Sequence, residues 1–399
     1  MSTGILFDFG NPASPSPHHR HQSSLEGIIY FSSEPALEAG ERARAKQKFY
    51  RIVDHFKVAN GSRNSGRQYD RPLLVRLTYE HARSEESRDI FLRAFFQSIA
   101  LSIDSENDID FENNEEDLDL ALSRFADYLL DNFFLPLRAS SGKTPQLSPL
   151  IHPAIQRAQG GGVQDFVGTP ERVAGLRGDC LIRDRYHCVV SRRFDLEEAS
   201  KRLKMNGDEA KDDDGNLLLA DPKFSHLVVA HILPQSLTKI GTGSQLHASK
   251  KAALDILNML DSGVIHLIEG NDIDRPQNAI TLTRDLHSSF GNFDVFFEPV
   301  LDQEHAYRIQ SFLHPIIIPD LPVVRTLHLT KNRTIEPPSP RLLALHCAIA
   351  HILHLSGAGD YINKILNDME WKDTRADGST ALGPLVALGL SGWLKAVHT

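Results

Sequence analysis

The stretch from His226 to Phe290 constrains the fold of this chain more than any other. It opens on the apolar run Leu227-Val228-Val229-Ala230, continues through His231 and is closed by Pro234. A short run dominated by β-branched residues and stopped by proline predicts a strand. A long insertion follows. Asn278 then opens a second such run, Ala279-Ile280-Thr281-Leu282, and Thr283 stands where it can cap a helix carrying His287 and Phe290 in its first turns. The expected order is strand, strand, helix, with a His, an Asn and a His placed along it.

The segments AHILP and RPQNAITLTRDLHSSFGNF resemble the HNH endonuclease family, the ββα-metal finger. The resemblance implies a general base at His231, an Asn278 that orients it through the loop backbone, and a divalent-metal ligand at His287. It implies Mg, Mn, Ni or Zn as the ion and nucleic acid, DNA above all, as the partner. The nine-position step from Asn278 to His287 suits that family, whereas the forty-seven positions between His231 and Asn278 are unusual. Many members carry Asp, Glu or His just before the base as a second ligand; here that position is Ala230, and Gly291 stands one turn beyond His287. Asp274 and Asp285 are therefore secondary metal-ligand candidates, although two residues along a helix point in different directions. The flanks RDRYHCVV and LLALHCAIAHILHLSGAGDYINKIL are also similar to uncharacterised fungal proteins carrying this module. The nuclease resemblance covers roughly a third of the chain.

Composition limits how such a chain meets nucleic acid. Over 399 residues the net charge is −9, so any DNA site must be a local basic patch or lean on a bound cation. The segment Glu171–Lys204 leans basic with interspersed acids, and Arg183, Arg185 and Arg284 are candidate phosphate contacts. Surface solubility charge is an equal alternative for that segment. The hydrophobic content of 41% and charged content of 24% are those of an ordinary globular protein. Cys180, Cys188 and Cys347 do not form a disulfide framework by spacing and predict a reducing compartment, nuclear or cytoplasmic. Cys180 and Cys188 are too far apart for a zinc knuckle. No apolar run is long enough to span a membrane and no signal-peptide pattern is present.

Taken in order, residues 1–34 are a Pro/Ser/His-rich tail whose His18, His19 and His21 have no assigned role. Residues 35–136 carry helical periodicity, with Phe49, Ile52, Val53, Phe56, Phe91, Phe95, Phe125 and Phe133 as core positions. Within it, the acidic run from Asp104 to Asp117 lacks the glycine a calcium loop needs and is expected to be a solvated loop. Residues 137–170 are Ser/Gly/Pro-rich and predict a linker. The nuclease-like domain spans 171–300. Its insertions are a polar, exposed 205–216 and a helix with Ala253, Leu254, Ile256, Leu257 and Leu260 on its apolar face, stopped near Gly263. In 301–399 strands precede helices. There His351 and His354 lie one turn apart and His346 off that face; packing in an amphipathic helix is the expected role, a metal site the weaker alternative.

These observations predict an α+β protein, a central ββα-metal module flanked by N-terminal and C-terminal helical regions. The function they favour is a metal-dependent DNA endonuclease. The first alternative is a catalytically weak or inactive fold of the same kind that binds nucleic acid or protein, and the second a helical scaffold in which the module is structural.

Overall fold

The computed structural model describes residues 36–62, 69–103, 109–141, 170–238 and 248–370. The tail 1–34 with its histidines, most of the 137–170 linker, His247 and residues 371–399 lie outside them. The described architecture is mixed: helices surround small sheets.

The N-terminal region forms α1 (Ala39–Ser62), α2 (Arg71–Glu80), α3 (Glu85–Ser98) and α4 (Phe111–Leu129). Local chemistry sets their starts. Asp70 accepts from the Leu73 amide and Ser84 from the Ser87 amide, which satisfies donors that the first turn leaves unpaired. Asp110 does the same for Asn113. The acidic run therefore departs from the expectation of a loop. From Phe111 onward it is helix, because Asp110 caps it and Glu112 complements the helix dipole. The apolar faces close on an aromatic cluster in which Phe49 meets Phe95 edge-on at 5.1 Å and Phe91 meets Phe125 at 5.7 Å. A π-helical turn, Leu130–Phe134, joins α4 to α5 (Leu135–Ser141), so the start of the predicted linker is still helix.

The module comes next. α6 (Pro170–Arg183) leads into a tight turn and a two-residue β1 (Phe194–Asp195). α7 (Leu196–Asn206) follows, then β2 (Phe224–Ser225), parallel to β1. β3 (Leu227–His231) pairs antiparallel with β4 (Ala279–Thr283), placing His231 opposite Ala279 and Leu227 opposite Thr283. The insertion between them folds as α8 (Ala248–Leu260), which buries Ala252, Ala253, Ile256, Leu257 and Leu260. α9 (Arg284–Gly291) leaves β4 directly and packs back over both strands. The expected strand, strand, helix order is present.

Beyond it, β5 (Val295–Pro299), β6 (Ala306–Ser311) and β7 (Val323–Thr326) form an antiparallel sheet in that order. The third strand lies ahead of the predicted 326–330 and shares only Thr326 with it. α10 (Pro340–Leu355) lies against β5, and α11 (Ala358–Glu370) follows. One hydrophobic cluster runs from Phe49 and Phe95 through Ile256, Ile280 and Phe290 to Ile349 and Ile362. The helical flanks are thus built into the core that supports the module. Among the described residues no single helix is long and apolar enough to cross a membrane.

Candidate active site

Asn278 holds the framework of the site. It sits between the short Pro276–Asn278 turn and β4 and is fully buried. Its Nδ2 donates to the carbonyls of Leu233 (3.0 Å) and Ile273 (2.9 Å), and its Oδ1 accepts from the Leu233 amide (3.0 Å). The Asn278 carbonyl also accepts from the Ile232 amide at 2.8 Å. Through its side chain and its carbonyl, this one residue ties the two residues after His231 to the turn that carries Asp274. A buried carboxamide with both its N–H donors and its oxygen hydrogen-bonded is a rigid fastening.

His231 ends β3 with its side chain 2% exposed. Its Nε2 lies 3.1 Å from Asp274 Oδ1, an oxygen that also accepts from Gln235 Nε2 at 2.6 Å. Asp274 is itself fully shielded, and its other oxygen faces the Arg172 guanidinium at 3.5 Å. Arg172 comes from α6, which packs Leu176 and Cys180 on Val229 and Ala279 and donates to the Asn271 carbonyl. His287 lies in the first turns of α9, half-buried. Its pKa is lowered, first by burial and then by the charge of His231, which places the two rings in one electrostatic neighbourhood. His231, Asn278 and Asp274 thus share one hydrogen-bonded frame at the end of β3 and the turn before β4, and α9, which carries His287, packs on both strands.

The remaining candidates separate. Asp285 is exposed on α9, roughly 200° around the helix from His287. Arg284 is exposed at the start of the same helix. Arg185 is half-exposed and paired with Asp214 of the 205–216 insertion. The expected phosphate contact fails for Arg183. That residue is buried, makes a two-point ion pair with Asp184 at 2.9 Å and donates to the Pro276 and Ala279 carbonyls. Asp184 in turn accepts from the Thr281 amide. The Arg183–Asp184 pair therefore pins α6 to β4, and its donors are turned inward. Gln235 and Arg172 were missed as site residues. Gln235 follows Pro234 directly at the end of the first motif, which is the signal that could have flagged it; Arg172 was one arginine among many.

The donor set can be tested against a divalent ion. Among the described residues no group of three ligands gathers at His231 and His287; the set that does lies elsewhere, at Glu298, Cys347 and His351. The oxygens of Asp274 already face protein donors. His287 offers one nitrogen, and that fits a cation that keeps the rest of its shell as water and substrate oxygen.

Two antiparallel strands and a helix, carrying His231, Asn278 and His287 in that order, form a ββα module. Residues 188–298 match the HNH endonuclease family, and this segment is a domain of that family. No curated protein and no solved structure matches the chain.

Proposed function

We propose that the chain is a metal-dependent endonuclease that hydrolyses DNA phosphodiester bonds, with His231 as general base and His287 as metal ligand. The observation that supports it is the packing of α9, which carries His287, on β3, which ends at His231, beside the frame held by Asn278. Asp274 accepts from His231 Nε2–H in this reading, which sets the tautomer and leaves Nδ1 to take the proton of the attacking water. Gln235 and Arg172 hold the Asp274 carboxylate in place, so its role is to orient the base. Asn278 keeps the backbone after His231 in register and so positions the ring. Arg284, exposed at the start of the helix that bears His287, contacts the phosphate backbone. When bound, a divalent cation would supply positive charge for the phosphate and the leaving oxygen. The free cysteines fit a reducing compartment inside the cell.

A second reading has its own support. The His231 side chain is almost wholly covered, and Ala230 stands where many members of the family place a ligand. Both favour a domain that binds nucleic acid without cutting it. Cleavage of duplex and single-stranded DNA with Mg, Mn, Ni or Zn separates the two. His231→Ala should lower the rate about 10²–10⁴-fold, the usual contribution of a positioned acid–base group. His287→Ala should abolish cleavage with partial rescue at high metal, and metal should not rescue His231→Ala. Equal rates in wild type and His231→Ala would exclude the mechanism. Salt-sensitive DNA binding with no cleavage under any of the four metals would establish the binding reading.

A further inference from the structure

Outside the nuclease module's His–Asn–His site, α10 and β5 bring together three metal-ligating side chains. Cys347 and His351 are four residues apart on α10 and so share one face. That face lies against β5, where Phe296 and Glu298, two residues apart, point the same way. The ligand atoms of Glu298, Cys347 and His351 all lie within 4.8 Å of one another. His351 Nε2 is 4.0 Å from Glu298 Oε1, and its Nδ1 is 3.6 Å from Cys347 Sγ.

The hydrogen bonds decide which atoms are offered. His351 Nδ1 is 2.9 Å from the Cys347 carbonyl oxygen, which can only accept. Nδ1 therefore carries a hydrogen, and in the neutral ring Nε2 presents its lone pair toward Glu298. Gln310 donates to Glu298 Oε2, which leaves Oε1 turned toward His351. Two acceptors, a ring nitrogen and a carboxylate oxygen, thus face each other beside a thiol, and a cation is the group that reconciles them. The ring is also held from its sides: Phe296 lies edge-on at 4.7 Å, Phe312 at 5.3 Å, and His81 stacks at 5.6 Å. Fixed orientation of the ligating imidazole and a hydrogen-bonded ligating carboxylate are what a metal site needs around its ligands.

We propose that Glu298, Cys347 and His351 form a zinc site, with a fourth position open to water. Sulfur, imidazole nitrogen and carboxylate oxygen together suit Zn²⁺ far better than Mg²⁺ or Ca²⁺. Ligand atoms around a tetrahedral zinc stand roughly 3.3–3.6 Å apart, so these three, all within 4.8 Å of one another, need to close by at most about 1.5 Å. Binding replaces the Cys347 S–H bond by a sulfur–zinc bond and releases the proton to water. The ion would tie α10 to β5, the strand that follows the helix bearing His287. Its effect is on the docking of the C-terminal helices and does not depend on whether the module cuts DNA.

Cobalt(II) titration of the full-length, reduced, chelator-treated protein tests this. We expect a thiolate-to-cobalt charge-transfer band in the near ultraviolet that saturates at one equivalent of cobalt per chain for this site and is displaced by zinc. Cys347→Ser should lose the band, and Glu298→Gln and His351→Gln should lose saturable binding. His231→Ala and His287→Ala should retain the band, which separates this site from the nuclease one. Gln310→Leu removes no ligand and should weaken cobalt binding about 10–100-fold, with circular dichroism reporting that each variant is folded. A protein that shows no thiolate–cobalt band at cobalt excess overturns the proposal in favour of an imidazolium–carboxylate pair. A band that survives Cys347→Ser overturns it as well.

Discussion

Replacing Asn278 by Asp exchanges a single NH₂ group for an oxygen, and the surroundings of that group set the outcome. In the native fold Nδ2 serves the Leu233 and Ile273 carbonyls, and Oδ1 serves the Leu233 amide. Asn278→Ala removes all three hydrogen bonds. At about 1 kcal/mol net for each, the loss is about 3 kcal/mol, and more if the backbone groups stay dry. Asn278→Asp keeps the bond from the Leu233 amide but aims an oxygen at two carbonyl oxygens in a fully buried site. Burial and that repulsion both disfavour the charged carboxylate, so its folded pKa rises above the unfolded value of about 3.9. The unfolded chain then binds fewer protons than the folded one between those two values, and stability falls as pH rises through that window. Each unit by which the pKa is raised separates acid from alkaline stability by about 1.4 kcal/mol. Urea unfolding at pH 5 and pH 8, always relative to wild type at the same pH, measures this. At pH 8 Asn278→Asp should be less stable than Asn278→Ala, and its deficit should shrink at pH 5. A deficit that is the same at both pH values, or an Asp variant more stable than the Ala variant at pH 8, would refute the description of Asn278 as a carbonyl-holding fastener.

The other predictions concern neighbouring groups. His346 is buried, stacks on Phe290 at 3.9 Å and bonds to the Phe290 carbonyl, and burial lowers its pKa to about 3. Because the unfolded histidine protonates near 6.5, stability should fall by about 1.4 kcal/mol per unit as pH drops from there toward 3. His346→Gln should flatten that part of the acid-unfolding curve. Arg183→Met leaves Asp184 buried without its partner and should cost about 3–5 kcal/mol in chemical denaturation. Arg284→Ala should leave stability within about 0.5 kcal/mol, while reducing the salt slope of DNA binding by about 1. The His287 ring should regain part of its lost pKa in His231→Ala, read by NMR titration, since one of the two causes of its lowering is removed.

How much could be read from the sequence differs from one residue to the next. The β-branched runs before His231 and after Asn278 made the strand, strand, helix order legible, because these are local preferences written in neighbouring residues, whereas Thr283 stands at the cap position without a side-chain capping bond. The same is true of the apolar helical faces at Phe49, Phe95 and Phe125. Local signals also misled. The acids after Asp110 read as a loop in the sequence because their charge is visible there and the capping bond is not. Arg183 had the composition of a phosphate contact, and only the packing of α6 on β4 turned it inward onto Asp184. Asp274 was noticed as a ligand, yet the contacts that decide its role come from Gln235 and Arg172, the latter more than a hundred residues away. Cys347 and His351 share a helical face by sequence alone, but nothing local announces that Glu298 arrives opposite them from β5. The chain thus determined its elements and their order by itself, through short-range backbone and side-chain preferences. Which polar groups face water and which face one another was decided only when distant segments met, because burial and partner geometry are properties of the packed whole.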